Sequence, residues 1–482
     1  MGISTKVVNL IEKIYRNTRS VVWTGKDVSE HFYTYTGVRQ GCLLSPLLFT
    51  LYLNDLHDGL EGGVLIDELN IRVLLYADDI VILAEDREVL QKMIKNLENY
   101  CIQWNMVVNL AKSKIMVFRN GGRLSTNEKW IYHNQEIEIV NEYIYLGVTL
   151  TPKMTFTKHV EARNIKSKTC INATWKELIN KPQISLIAKW KIFQSVCRTT
   201  QSYAAQVWGF GWFDEVDKLQ RYFLKRVLRQ PDSLPNYILS LETDVQDNHF
   251  YTLKLHLDYV GTTLFKYETR RLPHILSSKI WEKRIFWAKT IETLAYQVNI
   301  STSNIDINTQ EWIREMDDMS NKLKIQNYRQ KRRSANASET RFYRFLNPEV
   351  GIEYMANSRN LDQISILMRT RADVLPLNGN YHGNEETKLC TLCNTREVEN
   401  MQHFIAKCPI LCEIRLSNSP AVNLEHRSMW DILDVSMNAL KKGIVRQWSR
   451  IPADFIPTAI NSFFDEPGEI FKGKGGHIDA MG

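Results

Sequence analysis

The spacing of apolar residues predicts a mixture of helices and strands over the first 150 residues. Apolar residues recur at helical spacing over 4–17 and 87–104, and the almost wholly apolar run 42–56 predicts a buried helix. Two β-type runs, 71–76 and 80–84, flank a tight turn, and we expect the helices 42–56 and 87–104 to cover them. Further strands are predicted at 107–109, 114–118, 137–140 and 143–150. This part of the chain is therefore expected to be α+β.

From about residue 155 to residue 300, helical periodicity replaces the strand pattern. The polar stretch 299–310 lacks an apolar period and predicts a linker, the run 322–333 is basic, and the end of the chain is expected to be disordered. The expected core of the helical part is Trp175, Trp190, Phe193, Val207, Trp208, Phe223 and Leu224. The predicted segments are 1–150, 151–298, 311–380, 381–416 and 417–482.

Composition places the chain among ordinary folded proteins. Hydrophobic residues make up 44% of the 482 positions and charged residues 24%, which excludes a disordered or collagen-like chain. No run of 18 uninterrupted apolar residues occurs, and the N-terminus lacks a signal-peptide pattern. We therefore expect an intracellular protein, nuclear or cytoplasmic, that does not span a membrane. The sequence leaves the oligomeric state open.

Positive charge is concentrated in one region. Residues 151–230 contain fifteen Lys or Arg against five Asp or Glu, a local charge of +10 in a chain whose total is +7. A basic surface of this kind favours nucleic acid, although cationic helix faces without that role are common. The residues expected to contact nucleic acid are Arg163, Lys166, Lys168, Arg221, Lys225, Arg226 and Arg229.

Two adjacent aspartates, Asp78 and Asp79, stand at the predicted turn between the two β-type runs. Carboxylates at such a turn can bind a divalent metal ion, but aspartate is also common in turns without any catalytic role. Taken alone, the pair is weak evidence for an active site.

Four motifs that follow one another along the chain strengthen the evidence from the aspartate pair. Gly37-Val-Arg-Gln-Gly-Cys-Leu-Leu-Ser-Pro46, Tyr76-Ala-Asp-Asp79, Asn109-Leu-Ala-Lys-Ser-Lys114 and Tyr145-Leu-Gly147 resemble four consecutive palm motifs of reverse transcriptases. The nearest resemblance is to the non-LTR (LINE-class) retrotransposon type. It implies an RNA-directed DNA polymerase with part of a right-hand palm in 1–150, a helical thumb in 151–298, a helical C-terminal region and a small zinc knuckle.

The resemblance also implies roles for single residues. Asp78 and Asp79 would be Mg²⁺ ligands at a two-metal site, and Lys112 would lie near the leaving pyrophosphate. RNA template and DNA primer would be the partners. The implied contacts to nucleotide and template are Arg39, Gln40, Gly41, Ser45 and Pro46, and the implied primer grip is Tyr145, Leu146 and Gly147, with Leu146 alternatively a core residue.

One family feature is not found in the sequence. The resemblance implies another catalytic aspartate on an earlier strand, yet only 36 residues precede Gly37 and none fits that pattern. We therefore expect a reverse transcriptase without its fingers and first motif, with an incomplete Mg²⁺ site and at most trace activity alone. The alternatives are a catalytically dead nucleic-acid-binding remnant and a host-adopted scaffold.

A cysteine cluster near residue 400 predicts a metal site. Cys390, Cys393, His403 and Cys408 have spacings that a tetrahedral Zn²⁺ can collect, and Cys412 competes with Cys408 as the fourth ligand. Non-LTR reverse transcriptases resemble this chain in carrying such a knuckle after the thumb. Four protein ligands would make the site structural, while coincidental spacing is the alternative.

Overall fold

The computed structural model describes residues 3–34, 37–39, 41–125, 128–266, 271–302, 310–337, 342–346, 360–380 and 383–412. The chain divides into two compact units, Met1–Thr155 and Phe156–Gly482. Within the described ranges, no helix is long and apolar enough to cross a membrane. The predicted tail, 417–482, lies outside the described residues.

In its described residues, the first unit combines four helices with antiparallel strand pairs. Each sheet has two strands, and each strand pairs with its neighbour in sequence. The helices are α1 Thr5–Arg16, α2 Ser45–Tyr52, α3 Leu56–Gly59 and α4 Arg87–Gln103. The strands are β1 Thr18–Ser20, β2 Phe32–Thr34, β3 Val64–Ile66, β4 Leu69–Ile71, β5 Val73–Tyr76, β6 Asp79–Ile82, β7 Ile131–Tyr132, β8 Gln135–Glu136, β9 Tyr143–Tyr145 and β10 Val148–Leu150.

The core of this unit forms where α2, α3 and α4 meet the β5–β6 hairpin. The Asp86 side chain accepts a 2.8 Å hydrogen bond from the Val89 backbone N–H and so starts α4. The buried cluster contains Leu53, Leu56, Leu60, Met93 and Tyr100. A second cluster joins α4 to the β7–β8 hairpin and contains Ile94, Trp130, Tyr132 and Ile137.

Several predicted elements are shorter than expected. The predicted helix 42–56 is split into α2 and α3, and 107–109 forms no strand. The predicted strand 114–118 is reduced to a parallel bridge between Ile115 and Ile139. Complete cover of the β5–β6 hairpin is also wrong, because the helices pack against one face near its base and leave Tyr76 62% exposed at its tip.

The second unit is helical in its main elements. The helix α5 Thr157–Thr174 continues into a π-helical turn, Trp175–Ile179, and α6 Leu186–Ile192 continues into another, Phe193–Arg198. The remaining helices are α7 Thr199–Gln201, α8 Ala205–Trp208, α9 Asp214–Val227, α10 Asn236–Thr243, α11 Asn248–Lys266, α12 Leu272–Glu282, α13 Trp287–Gln297, α14 Gln310–Ala337 and α15 Leu361–Arg371. Short helical turns lie at Phe342–Phe345, Asn378–Asn380, Glu385–Lys388, His403–Lys407 and Pro409–Leu411.

The predicted core of the second unit is largely confirmed. The buried members are Phe193, Trp208, Phe223 and Leu224. Trp175 and Trp190 are half-buried against the cluster that contains Phe193 and Phe223. The prediction for Val207 is wrong, since its side chain is 41% exposed. Ala205 and Trp208, three residues apart, occupy the inner side of α8, and Val207 therefore points outward.

The predicted linker 299–310 does not separate two cores. Ile291 on α13 and Trp312 and Met316 on α14 belong to one buried cluster with Leu257 on α11. Residues on both sides of the polar stretch therefore pack together.

Candidate functional site

Asp78 and Asp79 lie at the end of the hairpin formed by β5 and β6, the aspartate hairpin. Tyr76 pairs with Asp79, so Ala77 and Asp78 form a two-residue turn, and Ala77 has a φ of 51°. Both carboxylates are exposed. The predicted hairpin turn is confirmed, and it presents two adjacent carboxylates to solvent.

The core beneath the hairpin orients Asp79. Val73, Ile80 and Ile82 pack against the buried cluster of the first unit. Because successive strand residues point to opposite faces, Asp79 and Val81 lie on the face away from that cluster. The packing therefore holds the hairpin while leaving one carboxylate-bearing face open.

A second hairpin, β9 and β10, brings the Tyr145-Leu146-Gly147 motif into this region. Burial raises the pKa of the Tyr145 hydroxyl, and the negative charge of Asp79 raises it further. Tyr145 therefore lies within electrostatic range of Asp79, although 66 positions separate them in the sequence.

The turn of this tyrosine hairpin is conformationally unusual. Leu146 and Gly147 have φ angles of 47° and 78°, and a left-handed conformation costs a leucine roughly 1–2 kcal/mol. Leu146 is 39% exposed, so the alternative that it is a core residue is wrong. The register between Tyr145 and Val148 leaves only two residues for the turn and imposes this conformation.

Lys112 connects to the same hairpin through its backbone. The Asn109 side chain accepts a 3.2 Å hydrogen bond from the Lys112 N–H, and the Tyr143 hydroxyl donates a 3.2 Å hydrogen bond to the Lys112 carbonyl. The Lys112 side chain is exposed. Tyr143 was not predicted as a site residue, and nothing in its local sequence distinguishes it from another strand tyrosine.

The loop 37–41, which has a glycine at each end, contacts α1 and β1. The Arg39 guanidinium donates to Thr18 Oγ1 at 3.1 Å and lies 5.5 Å from the centre of the Tyr15 ring. Ser45 Oγ donates to the Arg39 carbonyl at 2.6 Å, and Gly41 adopts a φ of 82°. Pro46 stands in the first turn of α2, and Gln40 lies outside the described residues.

Residues 1–150 match the family profile described as "Reverse transcriptase (RNA-dependent DNA polymerase)". This part of the chain belongs to the reverse transcriptase family. The prediction from the four motifs is thereby confirmed.

The relatives agree with the non-LTR retrotransposon type. The chain is 27% identical over 252 residues to the RNA-directed DNA polymerase from mobile element jockey of Drosophila funebris, covering 49% of this chain and 26% of that protein. It is 23% identical over 220 residues to the probable RNA-directed DNA polymerase from transposon X-element of Drosophila melanogaster, covering 44% and 23%. It is 30% identical over 150 residues to the Pol polyprotein from type-1 retrotransposable element R2 of Nasonia vitripennis, covering 29% and 15%. The chain thus spans about a quarter or less of these curated relatives.

Among the residues that the structure describes, no other potential ligand completes a metal site at the aspartate hairpin of this reverse transcriptase segment. Over the described ranges, no third His, Cys, Asp or Glu lies close enough to form a three-ligand group with Asp78 and Asp79. Carboxylate oxygens are suitable Mg²⁺ ligands, so the pair fits part of the donor set that a two-metal site requires.

The second unit brings Cys390, Cys393, His403 and Cys408 together. All four are buried, and their ligand atoms lie within 4.8 Å of one another. Cys393 Sγ lies 3.3 Å from His403 Nε2, close to the separation of about 3.6 Å that tetrahedral Zn²⁺ geometry implies. Cys412, the competing candidate, is exposed and outside this group.

Local hydrogen bonds orient the four ligands. His403 Nδ1 lies 2.9 Å from Glu397 Oε2, which leaves Nε2 facing the thiols. The Cys408 N–H donates to the His403 carbonyl at 2.7 Å. Burial raises the pKa of Cys390 to about 12, while a hydrogen bond with the Thr395 hydroxyl lowers the pKa of Cys393 to about 6. Glu397 was not predicted from the sequence, although an acid six residues before the ligand histidine could have suggested it.

Most of the seven cations predicted to bind nucleic acid contact other parts of the protein. Arg163 donates to the Thr200 carbonyl at 2.8 Å, and the Arg226 guanidinium lies 3.8 Å from the Trp175 ring centre. Only Lys166, Lys168 and Arg229 are exposed.

The prediction that Arg221, Lys225 and Arg229 share one helical face is wrong for Arg229. The helix α9 ends at Val227, and Arg229 has a φ of 53° and pairs with Asp362. The Arg221 guanidinium is bound by Asp214 at 2.8 Å, and Lys225 Nζ donates to the Asp232 carbonyl at 2.9 Å. These side chains are largely committed to contacts within the fold.

Proposed function

We propose that residues 1–150 contribute to RNA-templated DNA synthesis, with RNA template and DNA primer as partners. The observation that supports this best is that Tyr145 lies within electrostatic range of Asp79, since this brings the implied primer grip into the neighbourhood of one implied catalytic carboxylate. Primer positioning requires this proximity, because the 3′ end must meet the metal-binding groups.

In this proposal, Asp78 and Asp79 hold Mg²⁺, with Asp78 at the exposed turn as the main direct ligand. When bound, the metal would supply charge stabilisation at the attacking and leaving oxygens. Lys112 presents an exposed cation toward the pyrophosphate, and Tyr145 supports the primer from the adjoining hairpin. Arg39, Gly41, Ser45 and Pro46, with Gln40, would contact nucleotide and template.

The test is primer extension on an RNA template with Mg²⁺. We expect residues 1–482 alone to give at most trace synthesis, because two carboxylates are too few for two metal ions. Joining them to the preceding segment of a reverse transcriptase relative should produce synthesis that Asp78→Ala abolishes. Asp67→Asn is the matched control, since Asp67 occupies the turn of another hairpin with a φ of 53°.

Two results would contradict parts of this proposal. Robust synthesis by residues 1–482 alone that Asp78→Ala abolishes would refute the expected inactivity and support the site. Synthesis by the joined protein that survives Asp78→Ala would refute the role of the aspartate hairpin.

We also propose that Cys390, Cys393, His403 and Cys408 hold a structural Zn²⁺. Support comes from their mutual distances and from the Glu397 contact with His403, which matches the usual arrangement around zinc-bound histidines.

A further inference from the structure

A cavity of about 160 Å³ lies between α11, α13 and α14 in the second unit. Its apolar lining includes Phe250 and Leu294, and its polar lining includes Gln326, Asn327 and Gln330 from α14. Apolar cavities of about 150 Å³ take up a single benzene ring, whereas sites for drug-sized ligands have about 300–1,000 Å³. The cavity is therefore of a size for one flat ring system.

A buried histidine that Asp217 holds in place lines the cavity. His249 is 4% exposed, and its Nδ1 lies 3.0 Å from a carboxylate oxygen of Asp217, which is not part of the lining. The Asp217 carboxylate also accepts a 3.1 Å hydrogen bond from the His249 backbone N–H, which fixes the ring. Within the described ranges, Nε2 has no hydrogen-bond partner. Nε2 is also almost inaccessible to solvent, so the part of His249 in this site is that of a fixed support for neighbouring rings rather than a ligand-binding group.

An aromatic surface adjoins this histidine. The Trp212 ring centre lies 3.6 Å from that of His249, and Trp212 is nevertheless 60% exposed. Trp212 also lines the cavity. An exposed indole held against a buried imidazole offers a rigid face on which another flat ring can stack.

We propose that this cavity binds one unstacked nucleobase, most favourably from single-stranded nucleic acid. The base stacks on the face of Trp212 that is turned away from His249, and its polar edge meets the amides of Gln326 and Gln330. Stacking on aromatic rings with amide hydrogen bonds to base edges is the usual chemistry of single-strand recognition. The choice of a strand over a free nucleoside rests on the proposed polymerase function.

Two measurements on the 482-residue chain test the inference. The first is fluorescence anisotropy with a labelled 12-nucleotide single strand. We expect Trp212→Ala to weaken binding by roughly 5- to 150-fold, the range for loss of one base stack, and Trp212→Phe to restore most of the affinity. Tyr296→Ala is the matched control, because Tyr296 is an exposed aromatic residue on α13 outside the cavity lining.

The second measurement is saturation-transfer NMR with free adenosine and cytidine. We expect stronger transfer to base protons than to ribose protons in the parent, and loss of transfer in Trp212→Ala. This measurement uses no nucleic-acid strand, so it tests base binding by the cavity independently of the proposed polymerase function. Nucleoside binding without strand affinity in the parent would refute nucleic-acid binding and identify a free nucleoside as the ligand.

Two outcomes would overturn the inference. Strand affinity in the parent that Trp212→Ala leaves unchanged would remove the cavity from strand binding. Absence of nucleoside transfer in the parent would show that the cavity binds no base. Circular dichroism of Trp212→Ala checks its folding, which we expect to be intact because the side chain is largely exposed.

Discussion

The proposed zinc site yields the sharpest prediction, because Cys408 and Cys412 are close in sequence but differ in environment. Cys408 is fully buried with Cys390, Cys393 and His403, whereas Cys412 is exposed. We expect the parent to bind one Zn²⁺ per chain and Cys412→Ser to retain it. Cys408→Ser should release the metal to a chelator that leaves the parent loaded, since it removes one of four ligands.

A second prediction concerns the zinc affinity that is lost when the hydrogen bond between Glu397 and His403 is removed. Loss of a carboxylate that orients a ligand histidine typically weakens metal affinity by about 10–100-fold. The Glu397 side chain is 50% exposed, so water partly replaces it, and we expect Glu397→Gln to weaken affinity by about 10-fold. Glu385→Gln, a change at an exposed acid outside the cluster, should leave the affinity unchanged.

The assay is competition with a zinc-binding dye, read alongside the absorption of the Co²⁺-loaded protein. Tetrahedral thiolate coordination should appear in the parent and in Cys412→Ser. Loss of metal from Cys412→Ser with retention in Cys408→Ser would refute the ligand assignment. Equal affinities for the parent and Glu397→Gln would refute the role of the carboxylate.

Three further predictions concern charge and stability. Arg371 pairs with the fully buried Glu242, so Arg371→Met should cost about 3–5 kcal/mol in denaturant unfolding, and a loss below 1 kcal/mol would contradict this reasoning. Burial lowers the pKa of His256 from 6.5 to about 4, so only the unfolded chain gains a proton between these values. Stability should therefore fall by roughly 3 kcal/mol as pH drops through that window, and His256→Asn should flatten the dependence. Replacing exposed Lys166 by Gln should reduce the log–log salt slope of duplex binding by about 0.9, while Arg221→Gln, which affects a largely buried cation, should leave it unchanged.

Local pattern was sufficient for some of the fold. Two apolar runs around Ala77-Asp78-Asp79 predicted a hairpin, and the structure has it, because strand period and turn chemistry both act over a few neighbouring residues. The ordered motifs led to the reverse transcriptase family, which the family profile confirms.

The sequence by itself determined which residue types are available, and the tertiary structure decided which of them meet. Spacing could not choose between Cys408 and Cys412, because both lie within reach along the chain and only packing buries one of them. The approach of Tyr145 to Asp79 and of Trp212 to His249 joins positions with no common period. Likewise, composition revealed a basic region. Whether an arginine there faces solvent or an internal partner depends on contacts between elements that are distant in sequence, and no local pattern encodes those contacts.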